Sequence, residues 1–144
     1  MPFLAAVFGF RGRAPRAVYW FATICCGLGF FAFLAVGLDV PEDFILPVLA
    51  AAFLLLGWPA LAIIVRRLHD RGKSAWWLLP YVALPIGLDV VTDYTEAGEI
   101  PARIGDLLIL IATFELGVIP GTPGPNRYGP DPLRDPYAAP PPAP

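Results

Sequence analysis

The sequence predicts an all-α fold, a polytopic transmembrane helical bundle of four spans, and three observations predict it. Of the 144 residues, 57% are hydrophobic and only 15% charged, whereas soluble domains carry about 25% charged residues. The apolar residues stand in uninterrupted runs long enough to cross a bilayer. The basic residues cluster in segments that alternate along the chain with acidic ones. The same numbers exclude other classes. A net charge of −2 excludes a nucleic-acid binder that relies on bulk charge. The two adjacent cysteines, Cys25 and Cys26, exclude a disulfide-framework secreted domain and read as packing residues inside a span.

Residues 1–16 form a short N-terminal segment ending in Arg11, Arg13 and Arg16. Pro15 suits the first turn of the helix that follows. The first span, Ala17 to Leu38, holds 22 residues without a charge. It is too long for the apolar region of a cleaved signal peptide and reads as a retained anchor. After a loop carrying Asp39, Glu42 and Asp43, the second span, Phe44 to Val65, holds another 22. At 1.5 Å per residue such helices are about 33 Å long, enough for a hydrocarbon core of roughly 30 Å. The third, Ala75 to Val91, holds 17 residues with Asp89, Pro80 and Pro85, and the prolines predict a kink. The fourth, Ile104 to Pro120, also holds 17 and carries Asp106 and Glu115. Residues 17–120 thus make the membrane domain, and three spans plus a re-entrant or interfacial segment is the alternative for its second half. Residues 121–144 contain nine of the 18 prolines and read as a largely disordered Pro/Gly-rich cytoplasmic tail. Its Gly121 to Pro132 part, a succession of Gly–Pro turns, is expected to fold back on the inner loops through Arg127 or Asp131.

Four spans with both termini inside place Arg11, Arg13, Arg16, Arg66, Arg67, Arg71, Lys73, Arg127 and Arg134 on the cytoplasmic side and leave only Arg103 outside. That is the asymmetry of the positive-inside rule. Three spans would push Arg127 and Arg134 outside. Tyr19, Trp20, Trp76 and Trp77 fall near the same predicted boundary, where amphipathic rings belong.

The densest polar stretch is Arg66-Arg67-Leu68-His69-Asp70-Arg71-Gly72-Lys73-Ser74. Gly72 suits the left-handed residue that ends a helix, Ser74 suits a helix N-cap, and Arg66 with Asp70 has pairing spacing. One reading is a tight basic hairpin at anionic headgroups. The sharper reading is an acid–base pair, His69 with Asp70, with no nucleophile or further metal ligand grouped beside it. No catalytic, cofactor-binding or metal site is expected, and no enzymatic activity. Asp89, Asp106 and Glu115 are acids inside spans and hence candidates for ion or proton passage. Asp106 and Glu115 are nine apart and face opposite sides of one helix, so they form no carboxylate pair. For Glu115 a partner among the inner arginines or His69 is the more economical role.

FRGRAPRAVYW before the first span, RRLHDRGKSAWWLLP between the second and third, and GTPGPNRYGPDP after the last together resemble the family called domain of unknown function 805. The resemblance runs from about Phe8 to Pro132. The matching residues are Gly12, Arg13, Arg16, Tyr19 and Trp20, then Arg66, Arg67, Leu68, His69, Asp70, Ser74 and Trp77, then Gly121, Asn126, Arg127, Tyr128, Gly129 and Pro132. The chain departs from the pattern in a longer stretch from Asp89 to Asp106. The resemblance implies a small, multi-pass protein of the bacterial inner membrane with no established molecular activity and no catalytic residues to transfer.

The expectation is a lipid- or protein-interacting membrane module. Its cytoplasmic face would gather Arg13, Arg16, Arg66, Arg67, His69, Asp70, Asn126 and Arg127 into a polar cluster. Anionic lipid headgroups, a protein partner or a homo-oligomer are the partners it implies, with no nucleic acid. A small oligomeric transporter or channel using the intramembrane acids is the alternative.

Overall fold

The computed structural model describes residues 7–37, 41–96 and 98–133. Asp39 in the first loop, and Arg134 with the rest of the chain end, lie outside the described residues. Four long helices run antiparallel: α1 (Arg16–Gly37), α2 (Glu42–Asp70), α3 (Ala75–Tyr94) and α4 (Ile100–Gly117). The described residues form no extended strand, and only Asn126 and Gly129 make an isolated bridge. The fold is all-helical, as its apolar runs predict. α1, α2 and α3 are each long and apolar enough to cross a membrane. α4, with 18 residues, is about 27 Å long by helical rise, which is roughly consistent with a fourth crossing. The stretch from Asp89 to Asp106 holds the end of α3 and the start of α4, which are tied together by Thr92 Oγ1 accepting the Ala102 N–H at 3.0 Å.

Two helices solve a proline problem in the same way. Pro59 and Pro85 lack an N–H and press on the carbonyl four residues back. Ahead of each the helix widens into a π turn, Phe53–Gly57 in α2 and Leu79–Ala83 in α3. Trp58 N–H then donates to Phe53 O, and Leu84 N–H to Leu79 O, each five residues back. The expected kink in α3 is therefore a π turn, and α2 carries a second one.

Most large apolar side chains point outward. Phe21, Phe31, Leu46 and Leu55 are all exposed, the inverse of a soluble domain and the arrangement a lipid solvent requires. The core is small and lies toward one end of the bundle. Tyr19, Leu68, Tyr81, Ala112 and Leu116 form it, with Ile64, Leu78 and Val82 packed against them. Tyr19, expected at a headgroup, is instead buried here. α3 and α4 meet through Gly105, where an added Cβ would lie 3.3 Å from the Pro85 carbonyl oxygen. Lipid tails are as apolar as leucine, so this packing gains little from the hydrophobic effect and depends on close contact and hydrogen bonds. Those hydrogen bonds concentrate at the end where α1 begins, α2 ends, α3 begins and α4 ends.

Candidate functional site

The site at this basic end is organised by the last turn of α2. Successive residues leave a helix about 100° apart, so Arg66, Arg67, Leu68 and His69 fan out in different directions. Arg67 and Asp70, three apart, share a face. Gly72, at φ +73°, stops the helix. Gly72 N–H donates to His69 O at 3.0 Å and Lys73 N–H to Leu68 O at 2.8 Å, the paired bonds of a Schellman cap. Ser74 does not cap α3 with its hydroxyl; its carbonyl accepts the Trp77 N–H at 3.2 Å.

Arg67 is 0% exposed. Its Nε donates to Leu116 O and its Nη2 to Ile119 O, both at 2.7 Å, while Nη1 reaches Ala14 O at 3.4 Å and the Asp70 carboxylate. Neighbouring groups complete the pattern. Trp20 Nε1 donates to Gly117 O at 3.1 Å, Arg16 to Val118 O at 2.9 Å and Arg71 to Pro120 O at 2.7 Å. The five consecutive carbonyls from Leu116 to Pro120 are thus each bound by a guanidinium or an indole. A helix C-terminus leaves its last carbonyls without intrahelical partners and carries partial negative charge. Cations drawn from α1 and α2 answer both needs of α4.

Asp70 is the anion at the centre. Its carboxylate faces Arg67 and also accepts Arg13 Nε at 2.9 Å. Arg13 extends the clasp, donating to Gly124 O and Thr122 O at 2.6 Å each. The Asp70 carbonyl accepts both Thr122 N–H at 2.8 Å and Thr122 Oγ1–H at 3.0 Å. A Cβ on Gly121 would overlap the Asp70 carboxylate, so only glycine allows the chain past it. Outside this layer, His69 stacks on Tyr128 with ring centroids 3.9 Å apart, and its Nδ1 lies 3.2 Å from Gly12 O. Asn126 donates to His69 O and Thr122 Oγ1 at 2.9 Å each. Arg127 donates to Gly72 O at 3.2 Å and lies over the Tyr128 ring. Gly124 N–H donates to Asp131 at 2.9 Å.

A second polar group ties α4 to the α2–α3 turn. Glu115 pairs with Lys73 at 2.5 Å and with Arg71 at 3.7 Å, and accepts the Tyr81 hydroxyl. Lys73 also lies 3.6 Å above the Trp77 ring. Burial tends to lower the Lys73 pKa, but the hydrogen bonds and charge of Glu115 and Tyr81 outweigh it and hold it above the ordinary lysine value. A raised folded-state pKa gives stability that is complete below about 10.4, the unfolded lysine value, and is lost as pH rises through the folded one. The melting temperature is therefore expected to fall from about pH 10 upward, and less steeply in Lys73→Met. Parallel curves for the two proteins would remove Lys73 from this role.

Arg13, Arg16, Arg67, His69, Asp70, Asn126 and Arg127 all meet at this end. The expected Arg66–Asp70 pair does not form: Asp70 turns to Arg67 and Arg13, and Arg66 leaves the helix on another side. His69 and Asp70 are held by different partners rather than by each other. Asp89 and Asp106 lie exposed in the halves of α3 and α4 away from this end, and Glu115 is paired. Residues 121–131 fold back on this end, Arg127 donating to Gly72 O and the segment binding the clasp through its backbone carbonyls, Thr122 and Asn126. Among the described residues, no three of His, Cys, Asp and Glu converge as a metal ion requires. Thr122, Tyr128, Lys73 and Tyr81 belong to the site although their positions in the sequence do not mark them for it. Tyr128 belongs to the third motif, but its spacing does not announce a stacking partner 59 residues away.

The model of the family described as "Protein of unknown function (DUF805)" matches residues 7–130. The uncharacterized protein YiiR of Escherichia coli is 35% identical over 130 residues, covering 87% of this chain and 86% of the relative. The inner membrane protein YhaH of Escherichia coli is 33% identical over 135 residues, covering 89% and 90%. The inner membrane protein YhaI of the same organism is 34% identical over 125 residues, covering 86% of each. No solved structure matches significantly.

Proposed function

The chain belongs to the DUF805 family, and from that premise we propose that this multi-pass inner-membrane protein is a non-enzymatic module whose basic end faces the cytoplasm and engages anionic lipid headgroups. One observation carries the reading, the segregation of charge. The basic end holds Arg11, Arg13, Arg16, Arg66, Arg67, Arg71, Lys73 and Arg127 against Asp70, Glu115 and Asp131. The opposite half holds Arg103 with Glu42, Asp43, Asp89, Asp93, Glu96, Glu99 and Asp106. Positive charge on the cytoplasmic side is the orientation that membrane insertion favours. The clasp uses Arg13 and Arg67 internally, while Arg11, Arg16 and Arg127 stay exposed. Each cation near an anionic surface contributes about 1 kcal/mol.

The test is the lipid shell of the full chain in vesicles that mix phosphatidylglycerol with phosphatidylcholine, extracted with an amphipathic polymer and quantified by mass spectrometry. Phosphatidylglycerol is expected to be enriched around the wild type and less so around Arg11→Gln/Arg127→Gln. Equal lipid shells for the two proteins would overturn the reading.

A further inference from the structure

Arg66 adjoins Arg67 in sequence but takes no part in the clasp. Its backbone is fixed, the Arg66 carbonyl accepting the Ala14 N–H at 3.1 Å. Its side chain enters the groove between α1 and α2, where Nε is buried without a hydrogen-bond partner among the described residues. Among the described residues its guanidinium meets no carboxylate. A half-buried guanidinium whose Nε is shielded and has no counter-charge is a costly arrangement, and one turn of helix shows the contrast: Arg67 is given three carbonyls and an aspartate, Arg66 none among the described residues.

The groove below Arg66 is apolar. It has a volume of about 350 Å³ and is lined by Val18, Phe21 and Cys25 of α1 and by Leu55 and Ile63 of α2, with Arg66 at one end and, among the described residues, no acidic side chain in its wall. That volume lies within the roughly 300–1,000 Å³ of small-molecule sites. Along α2 it runs from Arg66 to Leu55, about 16 Å of helical rise. Half of a hydrocarbon core of about 30 Å is one leaflet, so the groove has the depth of one leaflet and its cation stands at the headgroup level.

We infer that the groove between α1 and α2 binds one anionic glycerophospholipid of the basic-end leaflet, its phosphodiester on Arg66 and one acyl chain along Phe21, Cys25, Leu55 and Ile63. The occupant must join a negative charge to about 16 Å of apolar chain, which an apolar partner helix does not supply at Arg66. This inference rests on the reading that the basic end engages anionic lipid, and narrows it from a general attraction to a single site.

The test is native mass spectrometry of the full chain, purified in detergent with added phosphatidylglycerol or phosphatidylcholine. It counts lipids retained as the activation energy rises. The wild type is expected to keep one phosphatidylglycerol in preference to phosphatidylcholine. Arg66→Gln is expected to retain it about fivefold less, the effect of one cation at a headgroup, and to lose the preference between the two lipids, while Arg66→Lys keeps most of it. Ala22→Phe, which fills the α1 wall of the groove without touching charge, is expected to lose the retained lipid of either kind. If Arg66→Gln fails to fold, as circular dichroism would show, Ala22→Phe carries the test. Wild-type retention in both variants overturns the site, and a smaller phosphatidylglycerol shell around Arg11→Gln/Arg127→Gln alongside it leaves the general reading standing. A wild type that prefers neither lipid in either assay overturns both. A retained second copy of the chain in place of lipid, abolished by Ala22→Phe, assigns the groove to self-association and also overturns the proposal.

Discussion

Replacing Asp70 by asparagine is expected to cost about 3–5 kcal/mol of stability, the usual penalty for removing one partner of a buried ion pair. The substitution keeps the size and planar shape of the side chain and removes only its charge. Arg67, at 0% exposed, and Arg13, with a side chain 2% exposed, would then face each other across a neutral amide. Asparagine would also turn one oxygen into an NH₂ that points at a guanidinium donor. The measurement is the midpoint of heat- or SDS-induced loss of helicity in micelles. Asp70→Asn with Arg13→Gln should be less unstable than the sum of the single changes, because removing one guanidinium relieves the other; coupling of about 0.5–3 kcal/mol is expected for such contacts. An unchanged midpoint in Asp70→Asn would show that the two arginines need no anion.

Arg67→Lys tests geometry with charge held constant. A lysine ammonium is a single point with three donors, whereas the guanidinium is a fixed planar fork. Arg67 uses that fork to reach Leu116 O, Ile119 O, Ala14 O and the Asp70 carboxylate from one position. Lysine can keep the pair with Asp70 but cannot span the carbonyls on both sides of it. Each buried carbonyl left without a donor costs about 1–3 kcal/mol, so the loss is expected to be about 3 kcal/mol overall. It should be local as well as global. Amides in the last turn of α4 should exchange faster, and proteases should cleave between Gly121 and Leu133 before the wild type is cut. A variant with wild-type exchange in that turn would reduce Arg67 to a simple counter-ion.

The helices were legible because lipid imposes a rule that residues obey one by one: long uncharged runs must span. The common end of the three motifs was legible because the basic residues alternate with the acidic ones from loop to loop. The internal wiring was not. Arg67 binds backbone carbonyls of α4, and a carbonyl has no residue identity to reveal it. The spacing of Arg66 and Asp70 suggested a local pair, but Arg13, 57 positions from Asp70, takes part in deciding where the carboxylate turns. In residues 121–131 the Gly–Pro turns point to a fold-back, but too little apolar surface is present to show what holds it. They dock by hydrogen bonds to a polar cluster, a mode that composition does not register. Pro80 and Pro85 predict a distortion in α3, whereas Pro59 gives the same π turn inside an uncharged run that reads as one straight span.

The clasp also sets an order of assembly. Arg13 reaches Gly124, and the two residues are 111 positions apart. Arg67 is synthesised long before Leu116 and Ile119, whose carbonyls complete its bonds. Until α4 has emerged, Arg67 and Asp70 have each other, Arg13 and water, and the first two helices must wait at the membrane with their polar end open. Closure of the clasp can therefore follow only the synthesis of α4 and of the segment up to Gly124. A chain truncated before residue 116 keeps α1, α2 and α3 yet lacks the Leu116 and Ile119 acceptors that Arg67 uses, so its polar end is expected to stay open and to be cut faster than the full chain by a protease added on that side.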